Sequence, residues 1–183
     1  MLKVLVDGCE PTKGSKYSAC IDLRASEDVV IAAGETKLVG LGVCIDLEHI
    51  KKLCQNIKYT QDDEGNTIFN GMDFDNTQYE DFMKSHQLNL YPRSSLRAKG
   101  LIANTGIIDL DYKDEIKIII HNPISEIIER SEDSLGYVEC DDMTIIKKGD
   151  RIAQIQLVEH KSYLFGVESD DKRNGGFGST GNE

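Results

Sequence analysis

A chain of 183 residues with 39% hydrophobic and 29% charged side chains has the size and composition of one ordinary globular domain, which excludes a disordered or fibrous protein. Its formal net charge of -11 argues against a long nucleic-acid backbone as partner, because such binding relies on many Lys and Arg to neutralise phosphates. No stretch approaches the roughly 18 consecutive apolar residues of a membrane span, and the apolar run 2–6 is too short for the core of a signal peptide, so neither membrane insertion nor secretion is expected.

In chain order, residues 2–6 read as a first short strand closed by the turn-prone pair Asp7-Gly8. Segments 29–32, 36–43 and 88–91 are short and rich in β-formers, punctuated by Gly34, Gly40 and Gly42. Segments 115–120, 144–146 and 151–158 continue the pattern, with Ile152, Ile155 and Leu157 available for a core. Many short strands without intervening helical patterns of roughly 10 to 15 residues favour a barrel or double sheet over parallel βαβ units. The exception is residues 54–85, an excursion in which Asp62 to Asn66 form an exposed turn and 79–84 form about one and a half helical turns. Residues 168–183 are polar and Gly-rich and read as a flexible arm.

The five cysteines include no CxxC pair, and an odd number cannot all pair within one chain, so they are expected to be reduced and mostly buried. That expectation points to a cytoplasmic setting, whether of a cell or of a host cell. The four histidines are too scattered to signal a zinc site.

Three clusters carry chemistry. Arg93, Ser94 and Ser95 follow a strand-like run, and a guanidinium fork beside two hydroxyls reads either as a phosphate clamp or as a surface Arg before a helix cap. In the stretch from Asn104 through Gly106, Ile108 and Asp109 to Asp111 and Tyr112, a carboxylate can polarise a water while the tyrosine ring lies beside a sugar or base. The same stretch also reads as a hairpin with an exposed Asp turn. The third cluster, Arg173, Gly175, Gly176, Phe177, Gly178, Ser179 and Thr180, offers converging N–H groups as an anion nest with a ring to stack on a base. Its alternative is a Gly-rich tail; it lacks the Lys of a nucleotide P-loop. Asp22 and Gln154 stand among apolar neighbours, either as a solvated carboxylate and an interior amide or as site groups. A triphosphate on a net-negative chain asks for a divalent cation, and Mg2+, which binds mainly through substrate phosphates, is the natural choice.

In order along the chain, Ser18-Ala19-Cys20-Ile21-Asp22-Leu23, Pro92-Arg93-Ser94-Ser95-Leu96, Gly106-Ile107-Ile108-Asp109-Leu110-Asp111-Tyr112, Gly149-Asp150-Arg151-Ile152-Ala153-Gln154 and Gly175-Gly176-Phe177-Gly178-Ser179-Thr180-Gly181 resemble the five motifs of the trimeric deoxyuridine triphosphatase family. The resemblance implies an all-β fold, a jelly-roll-type β-barrel over residues 1–167 with the inserted segment 54–85, and an arm, 168–183, closing over the nucleotide. It implies a Mg2+-dependent dUTP diphosphatase that forms dUMP and pyrophosphate. Asp109 would activate the water that attacks the α-phosphorus, while Ser94 and Gln154 hold phosphate oxygens and Arg93 and Ser95 join them in binding the substrate. Asp22 would act on the metal through water. Asn104, Gly106 and Ile108 would meet the uracil edge, Tyr112 the deoxyribose, and Arg173, Gly175, Gly176, Phe177, Gly178 and Ser179 would close over the ligand. It further implies a homotrimer with shared active sites.

The chain departs from the family pattern in four places. Cys20-Ile21 replaces the usual Gly-Tyr, and only Thr105 separates Asn104 from Gly106. Arg173 or Lys172 is the cation of the arm, Arg173 being preferred. Segment 54–85 exceeds the family core and is either a packed surface flap or a docking element for another protein. The rival activity, dCTP deamination, shares the Arg-Ser-Ser segment but usually carries a Trp that this chain lacks.

Overall fold

The computed structural model describes residues 1–123 and 143–167. The elements run β1 (Leu2–Val4), β2 (Thr12–Lys13), β3 (Ile21–Arg24), β4 (Val29–Ile31), β5 (Thr36–Gly40), β6 (Val43–Ile45), α1 (Leu47–Leu53), β7 (Gln55–Gln61), β8 (Thr67–Phe74) and α2 (Asn76–Ser85). They continue with β9 (His86–Pro92), α3 (Ser94–Ala98), β10 (Ile102–Ala103), β11 (Gly106–Asp109), β12 (Lys117–His121), β13 (Thr144–Ile146), β14 (Arg151–Glu159) and a 3-10 turn, Ser162–Phe165.

Alternation writes the strands. In β12, Ile118 and Ile120 are buried while their neighbours are half-buried, and in β9 Leu88 and Leu90 are buried in the same way. This is the period-2 pattern of a half-buried strand. In β14 the rhythm breaks, with Ile152 and Ala153 both buried, because the register with β3 shifts between Arg151 and Ala153. The inward side chains join Leu23, Ile31, Val39, Leu41 and Ile146 in one core, each contributing about 1.5–3 kcal/mol relative to exposure. Gly42, at φ +65°, lies where an added Cβ would come within 2.6 Å of the Cys9 Cβ, so both conformation and packing require glycine there.

The expected all-β, jelly-roll-type barrel is not what the chain forms. The fold is mixed α and β, with three α-helices among the described residues and sheets that stay open. The largest sheet has five strands in the order β11-β9-β14-β3-β2, and a three-stranded sheet runs β10-β12-β5. Three further sheets are two-stranded pairs: β1-β6, β13-β4 and β7-β8. The physical reason lies in short capped helices that strand-length alternation does not register. The Asp46 carboxylate accepts the His49 N–H at 3.0 Å to start α1, whose Ile50 is fully buried. The Asp75 carboxylate accepts the Gln78 N–H at 3.0 Å to start α2.

In α2, Tyr79, Phe82 and Met83 stand at i, i+3 and i+4 and pack against the core. The helix therefore extends beyond the expected 79–84 to ten residues. The hairpin β7–β8 turns where expected, with the Asp62 carboxylate accepting the N–H groups of Glu64 and Asn66. Ile68, Phe69, Met72 and Phe74 of this hairpin are exposed. Among the described residues no helix is long and apolar enough to cross a membrane.

Candidate active site

Register brings the first group of chemical residues together. Asp22 of β3 is the cross-strand partner of Gln154 of β14, which in turn lies opposite Tyr91 of β9, one residue before Pro92-Arg93. The Arg93 N–H bonds to the Ile152 carbonyl at 2.9 Å, fixing the chain as it leaves β9 for α3. Asp22 is 4% exposed. One of its oxygens pairs with the Arg93 guanidinium and the other with that of Arg151 at 3.2 Å. A carboxylate this buried requires such pairing, since uncompensated it would carry a desolvation penalty of several kcal/mol.

These groups line an open groove of about 520 Å³ together with Gly14, Ser18, Ala19, Cys20 and Gln154. Its rim is ordered by Ser18, whose Oγ accepts the Ser15 N–H at 2.8 Å. Two guanidiniums against one carboxylate make the groove net positive on a chain of charge -11. Such a groove suits an anion. Thr12, the Asp22 partner on β2, has a buried hydroxyl without a hydrogen-bond partner among the described residues. Ser94 and Ser95 are exposed at the start of α3, just past Arg93. Arg151 is the member of this group that sequence reasoning left without a role. Its motif neighbourhood was visible, but its approach to Asp22 across 129 residues comes from strand pairing.

Asp109 lies elsewhere. At the end of β11 it faces Gln87 of β9 and lines a separate cavity of about 370 Å³ with Met83, Lys84, His86, Leu110, Asp111 and His160. Four residues of β9 and three strand spacings separate Asp109 from Asp22, roughly 20 Å at about 3.3 Å per residue and 4.8 Å per strand. Lys84 and His86, far in the chain from both Asp109 and His160, had given no signal of meeting them there.

Tyr112 is buried in the core, and its hydroxyl donates to the Glu115 carbonyl at 3.3 Å. The exposed Asn104 donates its backbone N–H to the Ile119 carbonyl, and Ile108 packs partly buried against the core. Gly106 sits in β11 with no positive φ, and a Cβ there would meet only Leu90 at an ordinary 3.8 Å. Arg173, Gly175, Gly176, Phe177, Gly178 and Ser179, as well as Lys172 and Cys140, lie outside the described residues. Cys9, Cys44 and Cys54 are buried free thiols, each pushed up in pKa by desolvation. Among the described residues no group of three or more His, Cys, Asp or Glu is placed to hold a metal ion.

Comparison with known proteins adds the family context. A profile of the dUTPase family matches residues 81–132, which span Arg93, Asp109 and Tyr112. The chain is 31% identical over 180 residues to the deoxyuridine 5'-triphosphate nucleotidohydrolase of Candida glabrata, covering 95% of this chain and 90% of that protein. It is 30% identical over 178 residues to that of Nautilia profundicola, covering 93% and 89%. A crystal structure of the dUTPase from Streptococcus mutans shares the fold at a TM-score of 0.53 and 20% identity, over 87% of this chain and 95% of that one.

Proposed function

Because this chain belongs to the dUTPase family, we propose that it hydrolyses dUTP to dUMP and pyrophosphate with Mg2+. The observation that carries the reading is the net-positive groove in which buried Asp22 aligns the guanidiniums of Arg93 and Arg151 beside Gln154. Arg93, Ser94, Ser95 and Gln154 hold the phosphate oxygens by charge-assisted and neutral hydrogen bonds.

Asp109 accepts a proton from water as the water oxygen bonds to the α-phosphorus, and the bond from that phosphorus to the pyrophosphate oxygen breaks. Tyr112 backs the deoxyribose. Asn104, Gly106 and Ile108 recognise uracil through main-chain groups. Neither conformation nor packing within the described chain demands glycine at 106, which supports a close approach by something outside it. The arm residues Arg173, Gly175, Gly176, Phe177, Gly178 and Ser179 close over the bound nucleotide.

The donor set fits a Mg2+ that keeps its waters and arrives on the triphosphate, since Asp22 has both oxygens committed to guanidiniums and would meet the ion through water. When bound, the ion offsets phosphate charge and stabilises the leaving pyrophosphate. The separation of Asp109 from the Asp22 groove supports a homotrimer in which one subunit's Asp109 serves another subunit's groove.

The deciding experiment is product analysis with dUTP, dCTP, dTTP and UTP, first with Mg2+ and then with EDTA. The expected result is dUMP and pyrophosphate from dUTP, lost in EDTA and regained on adding Mg2+. Ammonia released from dCTP would overturn the reading in favour of a deaminase.

A further inference from the structure

The last turn of α2 closes one side of the cavity that holds Asp109. Met83, Lys84 and His86 of this region line that cavity, facing Asp109, Leu110 and Asp111 from the end of β11 and His160 from the end of β14. The wall is anchored from several directions. Tyr79, Phe82 and Met83 pack against the core, and the His160 N–H donates to the Ser85 carbonyl at 2.7 Å, fastening the helix end to β14.

His86 is locked as well. The Phe82 carbonyl at 3.2 Å can only accept, so Nδ1 carries the proton, and the ring stacks on Phe82 with centroids 4.3 Å apart. The Ser85 hydroxyl donates to the Asp81 carbonyl and accepts from the same Nδ1 at 2.9 Å. The excursion 54–85 thus ends in a hydrogen-bonded turn fastened to β14.

The charges lining this cavity are two carboxylates, Asp109 and Asp111, against the ammonium of Lys84 and two imidazoles. A polyphosphate brought to Asp109 therefore approaches two like charges on a protein that is already strongly negative. Lys84 is the permanent cation of this wall. It stands in the last turn of a ten-residue helix, where the helix dipole also favours positive charge.

We infer that Lys84 is a substrate-binding residue of the Asp109 site, and that the excursion serves catalysis by carrying it: the ammonium offsets repulsion between Asp109, Asp111 and the incoming nucleoside triphosphate. The inference rests on the hydrolase reading above.

The test is steady-state kinetics of the full chain on dUTP with Mg2+, comparing parent, Lys84→Gln, Lys84→Glu and Lys84→Arg at low and high salt. Lys84 is exposed, so the folded state is not expected to change, and thermal melting checks this. At low ionic strength Lys84→Gln raises KM about threefold and Lys84→Glu about tenfold, with kcat within about twofold, and both effects shrink as salt screens the charge. Lys84→Arg keeps the parent KM, while a merely structural role for the lysine stem would produce neither the salt dependence nor the larger loss in the Glu than in the Gln variant. Unchanged KM in both the Gln and Glu variants at low salt overturns the inference, as does an Arg variant that behaves like Gln. A parent chain without dUTP turnover sinks the hydrolase reading itself, and the inference with it.

Discussion

Asp22 is held by two guanidiniums, so its charge aligns Arg93 and Arg151 before any ligand arrives. The role proposed for Asp109 is different, because a general base must take a proton and then release it. Asp109→Asn keeps the shape and the hydrogen-bonding capacity but removes the proton acceptor. It is expected to lower kcat by about 10²–10⁴-fold while dUTP binding, measured by calorimetry with a non-hydrolysable analogue, stays near that of the parent. Near-parental turnover would remove Asp109 from the mechanism. At this scale the sequence was informative about side-chain chemistry: Arg93 and Asp109 were recognisable as candidate site groups from their neighbours, and Gln154 through the family resemblance. Arg151 and Lys84 were not, because their significance lies in what they approach.

The excursion shows how a few polar side chains build an element. Asp75 caps α2, and its carboxyl is held below the usual range first by the Gln78 N–H and then by the Asn56 amide. Asp62 is lowered in the same sense by the Asn66 side chain and then the Asn66 N–H, which order the β7–β8 turn. Both are depressed carboxylates, so the stability they contribute is fully present above the unfolded value, near about 4. It is lost as pH falls through the lower folded values. Far-ultraviolet circular dichroism is expected to show α2 unchanged from neutral pH down to that value and weakening below it. Asp75→Asn, which still caps, should flatten that acid limb; an identical acid profile in the variant would remove Asp75 as its source. The turn at Asp62 was legible because Asp, Gly and Asn in close succession have local meaning. Helix α1 escaped notice because it is only seven residues long and presents a single buried apolar side chain, Ile50, while the five-residue α3 was legible only as a helix cap after Arg93.

At the scale of the whole molecule, the open five-stranded sheet sets the Asp22 groove and the Asp109 cavity apart. The groove of Asp22 and the cavity of Asp109 lie at different ends of β9, too far apart to act on one phosphorus. Complementation tests whether copies of the chain share sites. Asp109→Asn and Arg93→Ala chains, each inactive alone, are unfolded together and refolded as a mixture. With shared sites, roughly one site in four regains both functional groups and turnover returns. A mixture as inactive as its parts would mean that each chain works alone.

The amino-acid order by itself determined the inventory: the candidate clamp residues and carboxylates, the alternation that became β9, β12 and β14, and the likeness to one enzyme family. Only the tertiary structure decided that α1 follows β6, that the sheets stay open, and that Asp22 meets Arg151 across 129 residues. Local patterns set strand and turn because they depend on neighbours a few residues away. Which strands pair, and in what register, depends on burying the whole apolar set at once, and no short stretch of sequence contains that information.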